Sequence, residues 1–218
     1  MLHKTAHRNL VLVALTLLMT SVSFAFDIPH LVLKTAGHAL AKESRELAEK
    51  SLGKASTTVP TTGTIEVAFS PNESAEELVI KAIQSAKIDI HVLAYSFTTA
   101  PITKALLDAR KREVSIKLVV DHKSNIAQDT SGKAQAALSA LSTAGVEVRT
   151  ISAYAIHHDK VVIDGRTTEL DSFNFSASAA NRNSENVLVM WDNPALAKAY
   201  LTHFERNYRQ STPFELRY

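Results

Sequence analysis

Between Ile156 and Trp191 the chain sets out His158, Lys160, Ser172, Asn174 and Glu185: an imidazole, an ammonium, a hydroxyl, an amide and a carboxylate. Those groups suit the cleavage of a phosphodiester. A neutral imidazole is a competent nucleophile near pH 7, and the ammonium, hydroxyl and amide can hold the non-bridging oxygens as negative charge shifts onto them. The spacing supports convergence. Alternate residues of a strand share a face, so His158 and Lys160 emerge together while His157 and Asp159 point the other way. Ser172 and Asn174 repeat the two-residue spacing in the next apolar and β-branched stretch, bringing one nucleophile and three phosphate donors onto one concave face.

The elements that must position these groups are legible from periodicity. Strand-like and helix-like segments alternate: strand 65–69, helix 73–87, strand 88–95, helix 100–112, strand 115–121, helix 131–144 and strand 146–150. Such alternation predicts a largely parallel sheet covered by helices. Further on the strands come closer together, at 160–163, 168–172 and 186–190, before a helix that Pro194 opens and that runs to Arg209. The result is an α/β fold with a mixed sheet between helical layers. The polar stretch 123–132 reads as a mobile loop, either one able to close over substrate or a plain surface loop.

The motif residues carry a resemblance. His158-Asp159-Lys160, Asp164 and Ser172-Phe173-Asn174 resemble the signature of the phospholipase D superfamily, which is His-x-Lys, four residues, Asp, six residues, then Gly-Ser-x-Asn. Asn183-Ser184-Glu185-Asn186, followed by a strand ending in Trp191, is similar to the small bacterial endonucleases of that superfamily, which carry a signal peptide and one copy of the signature. The likeness runs from about Ile65 to Tyr208 and includes Ala94-Tyr95-Ser96-Phe97-Thr98. It implies a phospholipase D-like mixed sheet sandwiched between helices. It also implies a metal-free, cofactor-free mechanism in which His158 attacks phosphorus and forms a phosphohistidine that water hydrolyses. In that scheme Lys160, Asn174 and Ser172 hold the phosphate oxygens and Glu185 accepts the other ring proton of His158. A second histidine protonates the leaving oxygen. With one copy of the motif per chain it must come from a second subunit, in a homodimer with a shared active site.

Two positions depart from the signature. Only Val161 to Ile163 separate Lys160 from Asp164, and an early turn at Asp164-Gly165 would absorb the missing residue. The glycine before the serine is replaced by Asp171. A carboxylate about 5 Å from a bound phosphate adds about 1 kcal/mol of repulsion in water and more in a drier site, so Asp171 is expected to slow the reaction.

Composition bounds the rest. Lys4 and Arg8 precede the apolar run Leu10–Met19 and the small-residue site Ser23-Phe24-Ala25, the layout of a secretory signal peptide over residues 1–25, cleaved after Ala25 for a periplasmic or secreted protein with no stable membrane association. Residues 26–63 read as a helical extension, with leucines at 33, 40 and 47, and a Ser/Thr/Pro-rich linker. Residues 64–218 then form the catalytic domain. The net charge of +2 resides in the leader, since residues 1–25 hold no acid. The mature chain is therefore balanced, and attraction to nucleic acid must be local, with Lys104, Arg110, Lys111, Arg112, Lys117 and Lys123 the densest basic stretch. There is no cysteine, which excludes disulfides and zinc-thiolate sites. His91 reads as a satisfied buried histidine, and neither it nor His122 has metal-ligand spacing. The functional expectation is a secreted, sequence-tolerant, metal-independent endonuclease of DNA and possibly RNA. The alternatives are a lipid phosphodiesterase on the same scaffold and a weakened nucleic-acid-binding homologue.

Overall fold

The computed structural model describes residues 56–216. The expected leader and the helical extension up to residue 55 lie outside the described residues. Eight strands form one sheet in the order β1-β7-β6-β5-β2-β3-β4-β8: β1 Thr64–Ser70, β2 Asp89–Ala94, β3 Ser115–Asp121, β4 Glu147–Ile151, β5 Lys160–Ile163, β6 Thr168–Asp171, β7 Glu185–Trp191 and β8 Thr212–Pro213. The helices are α1 Ala75–Ser85, α2 Ala100–Lys111, α3 Lys133–Thr143, the single turn α4 Ala177–Asn181, and α5 Pro194–Gln210. The expected α/β mixed sheet is the fold observed. Among the described residues no helix is long and apolar enough to cross a membrane.

Half of the sheet is parallel and half antiparallel. β2, β3 and β4 run parallel and are joined by α2 and α3, whereas β5, β6, β7 and β1 pair antiparallel. The two halves meet where Ala94, at the end of β2, pairs with Lys160, at the start of β5. The shape of the sequence explains both halves. α1 buries Ala75, Leu78, Val79, Ala82 and Ile83, one helical stripe, and carries Glu76 and Glu77 in its first turn, where acids favour the helix dipole. α5 is started by Pro194 and by the Asn193 side chain, which accepts a bond from the Leu196 N–H at 3.0 Å.

Each face of the sheet has a core. One face packs Val92, Ala94, Val162, Val187 and Val189 with residues of α1, α2 and α3. The other packs Leu93, Val119, Val161 and Ile163 under Ala197 and Phe204 of α5. On the first face Phe97 and Phe175 meet edge-on with centroids 5.9 Å apart, and the Thr98 and Thr99 N–H groups donate to the Phe175 carbonyl. Each buried phenylalanine contributes about 1.5–3 kcal/mol. This clasp ties the end of β2 to the segment that follows Ser172 and Asn174. The β1 and β7 edges are closed by Gly63, whose φ of +72° and close passage under the Trp191 carbonyl exclude any β-carbon. Trp191 itself donates its indole N–H to Glu66 at 2.9 Å.

One expectation is corrected here. Residues 123–127 are a π-helical turn rather than a mobile loop. Fully buried Asn125 pins it, donating to the Tyr95 and Asp121 carbonyls and accepting from the Phe97 N–H. The basic stretch 104–123 stays largely at the surface, with several of its charges in local contacts. Lys104 and Lys111 both pair with Asp108, Arg112 donates to carbonyls at the end of α1, and Lys117 sits over the Tyr208 ring. Arg110 to Arg112 also lie at the end of α2 remote from Ala94, about 15 Å down the helix axis.

Candidate active site

Lys160 begins β5, and the residue is almost wholly buried. Its Nζ lies 3.3 Å from His158 Nε2 and donates to the His158 carbonyl at 3.0 Å. A charged ammonium is all donor, so this contact makes Nε2 the unprotonated ring nitrogen, the atom that carries the nucleophilic lone pair. His158 is exposed and rests against Tyr95 with ring centroids 4.8 Å apart, while the same Tyr95 ring receives Lys160 at 5.7 Å. Tyr95 thus orients both groups, a role that periodicity alone does not reveal.

The residues facing the other way hold the nucleophile's segment in place. The buried His157 gives its backbone N–H to Asp121 Oδ2 at 2.9 Å, and its ring approaches Asp159 at 3.3 Å. Asp159 also contacts His203 of α5 at 3.0 Å. Burial lowers the pKa of His157, so it stays neutral against the core. His158, His203 and Arg206 open onto one shallow cleft of about 310 Å³. Asp121, Tyr95 and His203 were invisible as site residues in the sequence because they are distant in the chain and obey ordinary strand and helix patterns.

Asp164 accounts for the missing residue. β5 ends at Ile163, and Asp164 Oδ1 accepts the N–H groups of Arg166 and Thr167 at 2.7 and 2.6 Å, closing a tight turn that restores the Ile163–Thr168 pairing. The early turn therefore preserves the register of β5 on β6. Beyond β6, Ser172 Oγ donates to Glu185 Oε2 at 2.7 Å and accepts the Asn186 N–H at 3.1 Å. Asn183 donates to the other oxygen of Glu185 at 2.9 Å. Within the chain Glu185 is therefore bound to Ser172 and Asn183 and not to His158, and the Ser172 hydroxyl proton is committed. Asn174 Oδ1 is buried without a partner, an open acceptor, so it is the Nδ2 end of this amide that can donate to a phosphate oxygen.

His122 contacts Thr150 at 3.3 Å and faces a different cavity, one lined by Ile126, Gln135 and Phe214. His91 is buried edge-on to Phe204 with Nδ1 unpartnered, so it is buried as expected but incompletely satisfied. Among the described residues no three His, Asp or Glu side chains are grouped as a metal ion requires.

An exposed imidazole against a tyrosine and a buried lysine at its ring nitrogen stand at the junction of the mixed sheet, and a serine-carboxylate pair lies between the end of β6 and the start of β7, an arrangement that suits phosphoryl transfer by an α/β enzyme. Residues 79–208 match the family described as "Cardiolipin synthase, PLD-like domain", and the chain belongs to the phospholipase D superfamily, whose members are phosphodiesterases. The crystal structure of Nuc from Salmonella typhimurium, a phospholipase D family member, is similar at 41% identity with a TM-score of 0.67, over 70% of this chain and 98% of that one. A phospholipase D of Rickettsia bellii is 35% identical over 64% of this chain and 67% of its own length. The mitochondrial cardiolipin hydrolase of Xenopus laevis is 27% identical over 65% of this chain and 64% of its own.

Proposed function

We propose that the protein is an exported endonuclease that cleaves DNA, and RNA, without a metal and with little sequence preference. The observation that carries the reading is the 3.3 Å contact between Lys160 Nζ and His158 Nε2, which places a phosphate-binding cation at the lone pair of an exposed imidazole. A bound phosphodiester takes that position, with its oxygens on Lys160 and Asn174. His158 Nε2 attacks phosphorus, and the P–O bond to the leaving alcohol breaks as that oxygen gains a proton. Water then cleaves the phosphohistidine. Identity of 41% to Nuc and the Asn183–Trp191 segment favour nucleic acid over lipid. The names of the Rickettsia relatives favour a lipid diester.

The acid comes from the partner subunit's His158 in a two-fold dimer. Supporting this, Ile65, Val67 and Phe69 project from edge strand β1 with 58, 55 and 48% of their surface exposed, beside Leu188 and Met190 of β7. The stripe ends where Ser70 pairs with Glu185, at the site itself. Residues 1–25 serve as the export signal.

Purified chain lacking residues 1–25 is to be incubated with plasmid DNA, RNA, phosphatidylcholine and cardiolipin, each with excess chelator. Cleavage of the nucleic acids that survives chelation supports the reading. Cleavage of lipid alone, or activity that returns only with added magnesium, overturns it.

A further inference from the structure

Asp171 stands where the superfamily signature has glycine, and the structure shows where its side chain goes. Asp171 and Glu169 are two residues apart on β6 and so share a face. Val162 pairs with Glu169, and the same register continued one step sets Lys160 opposite Asp171. On the other side they abut Val189 and Val187, both buried. Glu169 is fully buried. One of its oxygens accepts the Val162 N–H at 3.1 Å, and the other has no partner. Both oxygens of Asp171 are likewise shut off from solvent and unpartnered.

Two residues apart on one face of the same strand, with oxygens shut off from solvent, the two carboxyl groups are buried neighbours. Neighbouring buried carboxylates cannot both ionise, whereas one proton between them satisfies an oxygen on each. Burial pushes Glu169 up to about 7, and burial together with the neighbouring Glu169 charge raises Asp171 well above the ordinary carboxylate range. The pair thus holds one proton and one negative charge. Burial works against the charged form of Lys160, and the influences that oppose it are Asp171 first, then Glu185 from β7 and Asp159 from the segment before β5.

We propose that Asp171 is a positioning residue: sharing a proton with Glu169, it supplies the buried counter-charge that keeps the Lys160 ammonium charged and directed at the substrate phosphate. The expected repulsion between Asp171 and the phosphate is therefore replaced by support for the phosphate's own ligand. The inference rests on assigning Lys160 to the phosphate, but not on whether the diester is nucleic acid or lipid.

The variants distribute the charge differently. In Glu169→Gln the amide donates to Asp171 and leaves the charge opposite Lys160. In Asp171→Asn the charge retreats to Glu169. The double variant has none. Titration of the Lys160 ζ-nitrogen by NMR in the mature chain is expected to show an unchanged midpoint in E169Q, a lower one in D171N and the lowest in E169Q/D171N, about one pH unit down or more. The alkaline limb of bis(p-nitrophenyl) phosphate cleavage should move in the same order and by the same amount, while thermal melts show that each variant is folded. A Lys160 midpoint indifferent to the double variant overturns the proposal, as does a midpoint that moves while the activity limb stays fixed. Loss of nucleic-acid cleavage with these shifts intact would count against the nuclease reading alone.

Discussion

The parallel and antiparallel halves of the sheet are built by different rules. In β2, β3 and β4 most buried positions are filled by Ile, Val and Leu, with His91, Asp121 and Thr150 the polar exceptions, and the sequence pattern there matches the structure strand by strand. In β5 and β6 the same core layer that holds Val162 and Phe173 also admits Lys160, Glu169 and Asp171. Burying ions costs several kcal/mol each unless they are paired or neutralised, so a stretch selected only for stability would not hold them. The parallel half is scaffold, and the antiparallel half gives up packing for chemistry. Local rules tend to fail at functional sites, and here the failure is densest in two adjacent strands, with His91 of β2 and Asp121 of β3 as single buried exceptions outside them.

The sharpest way to break that contrast is to exchange the effects. His158→Ala should lower turnover by about 10⁴-fold or more while leaving the melting transition in place, because the side chain is exposed and lies against Tyr95 and the Lys160 ammonium rather than in the core. Leu118→Ala in β3 should do the reverse, costing about 2–5 kcal/mol in urea unfolding while the folded fraction keeps its specific activity. If His158→Ala unfolds the chain, or Leu118→Ala abolishes activity in folded protein, the division between the halves fails.

The buried acids sharpen it further through pH. Carboxyls whose folded pKa lies above the unfolded value bind more protons in the native state, so their contribution is complete below the ordinary glutamate value of 4.5 and is lost as pH rises through about 7. His91 and His157, whose pKa values burial lowers, act in the opposite sense, adding stability as pH rises through the ordinary imidazole range. Subtracting the unfolding curve of E169Q/D171N from that of the parent therefore isolates the pair. The difference should decline from acid toward neutral pH, and a flat difference would mean that the carboxyls are solvated. The smallest effect is expected at Ser172→Ala, which frees Glu185 from one hydrogen bond: about a tenfold loss of turnover and a stability change within about 1 kcal/mol.

Much of this was legible in the chain. The element order and the grouping of His158 with Lys160 follow from periodicity, and the turn at Asp164-Gly165 follows from the residue missing between Lys160 and Asp164. What stayed hidden depends on three-dimensional register. Glu169 reads as one acid in a short strand, and only the pairing with Val162 shows it to be in the core. Tyr95 and Asp121 sit at the ends of regular strands, where nothing local marks them as supports for residues 157 and 158. Asn125 looked like part of a polar loop because its partners, at 95, 97 and 121, are brought together by the chain reversal rather than by pattern. Ser172 and Glu185 were both identified, but not their bond to each other.

The most direct test of the central claim is chemical trapping of the intermediate. Mature protein is mixed with a phosphodiester carrying ³²P at the scissile phosphate, quenched in base on the turnover timescale, and digested. The account predicts a base-stable, acid-labile label on the peptide containing His158, absent from His158→Ala. Turnover at full rate with no label on that peptide, or with the label on another residue, would contradict it.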